Sequence, residues 1–370
     1  MKSQTNVKKE QSSVPPVFIV NIVLRLRRFL LRFADSIVPA YLAVYDHFMG
    51  AAHTSLMHSA ARLRIADLLK DGPLTAKELA KITESNEDVL DRMMLVLVSI
   101  NVFKRLPNGK YANNKVSKGL LTGTIGSIRG FTEFFGMAPV LRSWEELPNT
   151  LKDGKTSFDR VHGESVWEWM SKDQTALSNF VEGMSSMTEV VAPSIAANYP
   201  FHEVKKVCDV GGGVGIVLTA VLRKHPHLQG ILYDSKTMLK EASTHLNEWG
   251  VADRVELVPG SFFDEVPSGA DTYIIKTVLH NWNDECAKKI LFNCRKAMQP
   301  GHRLLVADFL HSEEAISTLV PFMDFAGMMI YSGREREPEY LARLFKEPGF
   351  KLNRTFELPG RQAVFEAIAI

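Results

Sequence analysis

Apolar and polar positions follow three different rhythms along this chain, and the changes of rhythm divide it. From residue 200 to 370, short apolar runs recur between turn residues, near 205–210, 229–234, 254–258, 272–276, 303–308, 350–357 and 363–369. Runs of that length read as strands. Helical periodicity fills about 215–224, 237–248, 283–298 and 338–345 between them. Regular alternation of strand and helix predicts an α/β domain with a doubly wound, mostly parallel sheet, whose ligands sit at the carboxyl ends of the strands.

Residues 40–125 keep a helical period instead. Leu56, Ala60, Leu63 and Leu68 lie on one side of a helix expected from Ala51 to Leu69, stopped by Gly72-Pro73. Thr75 caps a short helix to Ile82, and Ser85-Asn86 caps another running to Ile100. Val102–Arg105, Pro107-Asn108-Gly109 and Lys110–Ala112 read as a hairpin. Three helices and a hairpin make a winged-helix-like unit. Residues 126–199 stay helical and carry Phe131, Phe134, Phe135, Trp144, Phe158, Trp167, Trp169 and Phe180. Most of these aromatics belong to a core, and the rest line a pocket wall.

Residues 1–39 form a lead and one helix. The polar start up to Pro15-Pro16 reads as disordered. Val17–Ala34 is amphipathic, and Arg25, Arg27, Arg28 and Arg32 interrupt it. A spanning helix needs about 20 apolar residues, and a signal peptide carries its positive charges ahead of its apolar stretch. Two placements remain: packed on a partner subunit, which is preferred, or lying on a membrane surface.

Composition narrows the partners. With 370 residues the chain holds two domains or one large one with an extension, and 44 basic against 42 acidic residues give no general pull toward nucleic acid. A winged helix raises DNA binding, yet the candidate reading helix, Glu87 to Ile100, opens on acids and carries one arginine, Arg92. No nucleic-acid partner is expected. Cys208, Cys286 and Cys294 are too few for a disulfide framework, so a reducing cytoplasm is the expected location. No Cys/His pair has zinc-ligand spacing, so no metal is expected.

The candidate chemistry begins at Lys205–Gly215, Lys-Lys-Val-Cys-Asp-Val-Gly-Gly-Gly-Val-Gly. A buried strand breaks into glycines, which admit positive φ and close approach of a ligand, and a helix follows whose first N–H groups face the turn. A dinucleotide fingerprint would place its third glycine at Ile216. Instead Asp209 stands inside the strand, suited to a cationic ligand, and Asp234 ends the next strand, suited to ribose hydroxyls. Strand, glycine turn, helix, strand and acid together resemble the S-adenosylmethionine site of class I methyltransferases. Just beyond the fourth strand stands His280, whose ordinary pKa of about 6.5 suits it to take a proton from a hydroxyl.

His280-Asn-Trp282-Asn-Asp284 resembles the His-x-Trp-x-Asp signature of plant caffeate-type and bacterial polyketide O-methyltransferases, and the likeness extends from about residue 40 to the end. It implies that His280 is the general base and that Glu335, in Gly333-Arg-Glu-Arg336, orients it. Arg334, Arg336 and Glu337 read as a charged surface turn beyond a strand end. The resemblance also puts Asp209, Gly211, Gly213, Asp234, Ser261, Phe262, Lys276 and Thr188 at the cofactor. Phe180, Met184, Trp282, Met323 and Asp324 fall at the acceptor. Residues 40–125 become a dimerisation domain, 126–199 a pocket-forming linker and 200–370 the catalytic domain of a homodimer.

The chain departs from the family pattern twice. Ser261 stands where an aspartate meets the adenine amine, and Ala307 stands where an acid forms a second histidine partner. Asp308 next to it is expected on the opposite face of the strand. The implied activity is methyl transfer from S-adenosylmethionine to a hydroxyl of a small aromatic or polyketide-type molecule. The alternative keeps the cofactor and changes the reaction to a pericyclic, decarboxylating or hydroxylating one.

Overall fold

The computed structural model describes residues 17–310, 319–359 and 361–370. The polar lead of residues 1–16 lies outside them. α1 (Val17–Ile37) has no buried residue and leads through Pro39 into α2 (Ala40–Phe48). Among the described residues no helix is long and apolar enough to cross a membrane.

The single helix expected over 51–69 is instead two, α3 (Gly50–Arg62) and α4 (Ile65–Leu68). Arg64 between them takes a left-handed φ of 53°. The break turns Ile65 and Ala66 into the same core as Ala60, so tertiary burial overrides a continuous helical pattern. α5 (Ala76–Ile82) begins with a capping box, in which Glu78 N donates to Thr75 Oγ1 at 3.1 Å and Thr75 N donates to Glu78 Oε2 at 2.7 Å. Asn86 caps α6 (Glu87–Ser99), which buries Leu90, Met94 and Leu97 and leaves Val89, Leu95 and Val96 exposed. β1 (Phe103–Arg105) and β2 (Tyr111–Asn113) pair as the antiparallel hairpin. Phe103, Tyr111, Leu79 and Met94 close this core.

Six helices follow: α7 (Arg129–Phe135), α8 (Ala138–Ser143), α9 (Leu147–Asp153), α10 (Ser157–His162), α11 (Val166–Lys172) and the 25-residue α12 (Gln174–Asn198). α7 crosses α12 at two glycines. A Cβ on Gly130 would stand 2.5 Å from the Asn179 carbonyl oxygen, and one on Gly183 would stand 2.5 Å from the Phe131 ring. Buried Arg129 fastens the crossing by pairing with Glu133 on its own helix and Glu182 on α12.

The remaining elements run β3 (Lys206–Val210), α13 (Ile216–Lys224), β4 (Gln229–Asp234), α14 (Lys236–Glu248), β5 (Val255–Pro259), β6 (Thr272–Lys276), α15 (Asp284–Ala297), β7 (Arg303–Phe309), α16 (Leu319–Tyr331), α17 (Pro338–Lys346), β8 (Phe350–Leu358) and β9 (Gln362–Ala369). They form one sheet in the order β5-β4-β3-β6-β7-β9-β8. β3 to β7 are parallel, and β9 runs antiparallel to both β7 and β8. Cys208, Ile275 and Val306 pack on α15 and α17 through Ile290, Leu341 and Phe345. Val207, Ile274 and Leu305 pack on the other layer through Ile195, Leu218 and Leu239. β3 and β6 are neighbours in space and not in sequence, so the strand order reverses there. At such a switch point the connections leave in opposite directions and open a crevice above the strand ends.

Candidate active site

That crevice is built first by the glycine turn. Gly211 and Gly213 hold φ of 68° and 59°, and a Cβ on Gly212 would stand 2.6 Å from the Asp209 carboxyl carbon. The Asp209 carboxylate therefore lies directly beneath the turn. It is buried, and Leu218 N donates to it at 3.3 Å. Burial, against that hydrogen bond and with help from the nearby charge of Asp234, pushes its carboxyl up to about 7. Asp234 accepts from Gly213 N at 2.9 Å and Ser235 N at 2.6 Å, and burial raises it as well.

Above these acids lies a cavity of about 530 Å³, lined also by Phe262, Lys276 and Thr188. Lys276 Nζ donates to Thr188 Oγ1 at 2.8 Å. Burial lowers its amine to about 8, against the pull of Asp308 and Asp209. Two desolvated carboxylates in one enclosure favour a ligand that brings positive charge. Phe180, Met184 and Trp282 line the same cavity, and Trp167 stacks on Trp282 with ring centroids 5.4 Å apart. Ser261 is not among the lining residues; its hydroxyl accepts from Phe263 N at 3.2 Å.

A second recess of about 20 Å³ shares Phe180, Met184 and Asn281 with the first and is lined by His280, Glu335, Met323 and Asp324. His280 lies on a single 3-10 turn, Leu279–Asn281, just past β6. Its Nδ1 is 2.6 Å from Glu335 Oε1, and the two side chains are 9% and 3% exposed. Among the described residues its Nε2 has no hydrogen-bond partner. Burial disfavours the imidazolium, but the charge and hydrogen bond of Glu335 and the charge of Asp308 outweigh it, so the net shift is upward from 6.5. Glu335 is itself fixed, its backbone N donating to Asp324 Oδ1 at 2.7 Å. The segment passes so close to His280 that a Cβ on Gly333 would stand 2.3 Å from the His280 carbonyl oxygen.

Three expectations change. The segment from Ser332 follows helix α16, not a strand, and Ser332 turns it with φ of 58°. Arg336 is no surface charge. Its buried guanidinium donates to Leu279 O at 2.8 Å and Trp282 O at 2.7 Å and pairs with Asp284 at 2.9 Å. The charge-rich spelling hid this, because alternating charges look alike in a solvated turn and in a clamp. Asp308 is not turned away from the histidine. It continues the face of Leu304 and Val306, on which Leu279 also packs, while Ala307 points into the opposite core. Burial pushes the Asp308 carboxyl up to about 7, against the charge of His280 and with that of Glu335. Asp308 is thus an acid on the same side of β7 as the turn that bears His280, close enough for its charge to act on the imidazole.

Residues 144–351 match the O-methyltransferase domain family and residues 45–123 the O-methyltransferase dimerisation domain family. The mitomycin biosynthesis 6-O-methyltransferase of Streptomyces lavendulae is 35% identical over 314 residues, 84% of this chain and 89% of that protein. The crystal structure of LaPhzM superposes with a TM-score of 0.85 at 31% identity, covering 90% of this chain and 100% of its own. NcsB1, an O-methyltransferase from neocarzinostatin biosynthesis solved with S-adenosylmethionine and 2-hydroxy-5-methyl naphthoic acid, gives 0.75 at 29% identity, covering 86% and 96%.

Proposed function

The chain belongs to the O-methyltransferase family, whose domain matches residues 144–351, and we propose that His280 is the general base of its reaction. The protein is an S-adenosylmethionine-dependent O-methyltransferase. We take its acceptor to be a hydroxyl on a small aromatic or polyketide-type molecule, in keeping with the mitomycin and naphthoic acid named for its relatives. Two copies would pair through the segment matched to the dimerisation family, with 126–199 as the pocket-forming linker and 200–370 as the catalytic domain.

The residues present fit the cofactor. Asp234, at the end of its strand, can accept from two ribose hydroxyls, and buried Asp209 lies beneath a turn that glycine leaves open, where a cationic ligand would favour its charged form. Phe262 and Trp282 supply flat apolar walls. When bound, S-adenosylmethionine supplies an electrophilic methyl group. Phe180, Met184 and Trp167 would hold a flat acceptor against that end of the cavity, and the recess at His280 would receive its hydroxyl. Nε2 would take the hydroxyl proton there, leaving the oxygen free to accept the methyl group. Glu335 on Nδ1 fixes the tautomer and stabilises the imidazolium that forms. The near-complete burial of the pair keeps water from competing for the proton.

The observation that carries this reading is the 2.6 Å contact between His280 Nδ1 and Glu335, with Nε2 unpartnered at the recess. The test is transfer of a radiolabelled methyl group from the donor to a panel of phenols. Wild-type protein should label at least one acceptor, and His280→Ala should lose roughly 10²–10⁴-fold in kcat with donor affinity unchanged. Donor binding without transfer would favour the non-methylating alternative instead. A His280→Ala protein as fast as wild type would remove the base assignment.

A further inference from the structure

α1 has no part in the reaction above, and it ends before residue 45, where the match to the dimerisation family begins. Phe18, Ile22, Leu26, Phe29 and Phe33 follow one another at intervals of three or four and so share one face of the helix. Each is more than half exposed, at 64%, 59%, 55%, 63% and 53%. At about 100° per residue, the exposed Ile19, Leu30 and Val23 widen this face on one side as far as Arg27, and Arg25 and Arg32 border it on the other. All three arginines are exposed. Against the four arginines of α1 stands one acid, Asp35, which lies 3.7 Å from His47 of α2.

We propose that α1 lies flat on an anionic lipid surface, with the Phe18–Phe33 face among the acyl chains and the arginines at the headgroup phosphates. A broad apolar face edged on both sides by arginine suits a helix lying in the plane of a membrane interface, since the long side chains bury their stems and keep their charge at the phosphates. A second copy of α1 offers no such complement, because it would set arginine against arginine. The sequence alone favours a partner subunit. The cationic borders of the exposed face, and a dimerisation segment that begins beyond α1, favour lipid.

Full-length protein should sediment with vesicles of phosphatidylcholine and phosphatidylglycerol, and barely with phosphatidylcholine alone or at high salt. Replacing Arg25, Arg27 and Arg32 together by glutamine should weaken binding roughly fivefold per arginine. The double variant Leu26→Asp/Phe29→Asp should abolish it, and both variants should keep donor affinity, which certifies their fold. The proposal fails if wild-type protein stays in the supernatant, or if neither variant changes the bound fraction. It also fails if Leu26→Asp/Phe29→Asp lowers the oligomeric mass in lipid-free buffer, which makes a second copy the occupant.

Discussion

Glu335 acts on His280 in two ways that a titration separates. It orients Nδ1, and with Asp308 it raises the imidazole's pKa above 6.5 against the opposing effect of burial. As the proposed base, His280 works in its neutral form, so the rate should fall as pH drops through that raised pKa. In Glu335→Gln the charge is gone and burial gains the upper hand. The acid limb of a kcat–pH profile should then move to lower pH, while the plateau falls by roughly 10²-fold or more as the tautomer is no longer fixed. A limb that stays in place or moves up would show that Glu335 does not set the pKa of the base. Both partners are legible in the sequence because each sits in a short, distinctive string. Asp308 was not, since whether it or Ala307 faces the histidine depends on strand parity. The register that pairs Ala307 with Val364 and Asp308 with Ala363 is a property of the assembled sheet.

At the scale of elements, the sheet, its helices and the hairpin follow from runs and caps that each segment carries by itself. What escaped were the joints between segments. Arg336, beyond α16, holds the carbonyl oxygens of Leu279 and Trp282 and the carboxylate of Asp284, so it ties the turn bearing His280 to the start of α15. The hydroxyl of Tyr340 on α17 also meets Asp284. Lysine can keep the charge at this site but cannot make the planar, three-way contact of a guanidinium. Arg336→Lys should therefore leave a folded protein with near-normal donor affinity and a kcat lower by about 10²-fold, the cost of a misplaced base. The acid limb should keep its pH, because Glu335 and Asp308 remain. Isothermal titration with the donor, beside steady-state rates across pH, reads all three quantities. Equal losses in donor affinity and rate would make Arg336 a general stabiliser and not a positioning residue.

For the whole molecule, the question is how the N-terminal module bears on a pocket built mostly elsewhere. Phe48 on α2 and Val89, Leu95 and Val96 on α6 are exposed apolar side chains inside the segment matched to the dimerisation family, the surface a second copy would cover. From there a continuous chain of contacts leads inward. His58 of α3 meets the Glu133 carbonyl oxygen at 2.9 Å, and a Cβ on Gly136 would stand 2.3 Å from the His58 side chain, so α3 and α7 fit without slack. Arg129 then joins α7 to Glu182 of α12, and α12 carries Phe180, Met184 and Thr188 into the cavity. Dissociating the proposed dimer should therefore disturb the acceptor wall more than the cofactor end, which rests mainly on β3, β4 and β6. Leu95→Asp/Val96→Asp should sediment as a monomer, bind donor as before, and show an acceptor KM raised by roughly fivefold or more, the usual scale of coupling between sites. Monomers with an unchanged acceptor KM would mean that the α7–α12 joint fixes the wall without help from the partner. A variant that stays dimeric would move the interface off α6 and onto α2 and α3.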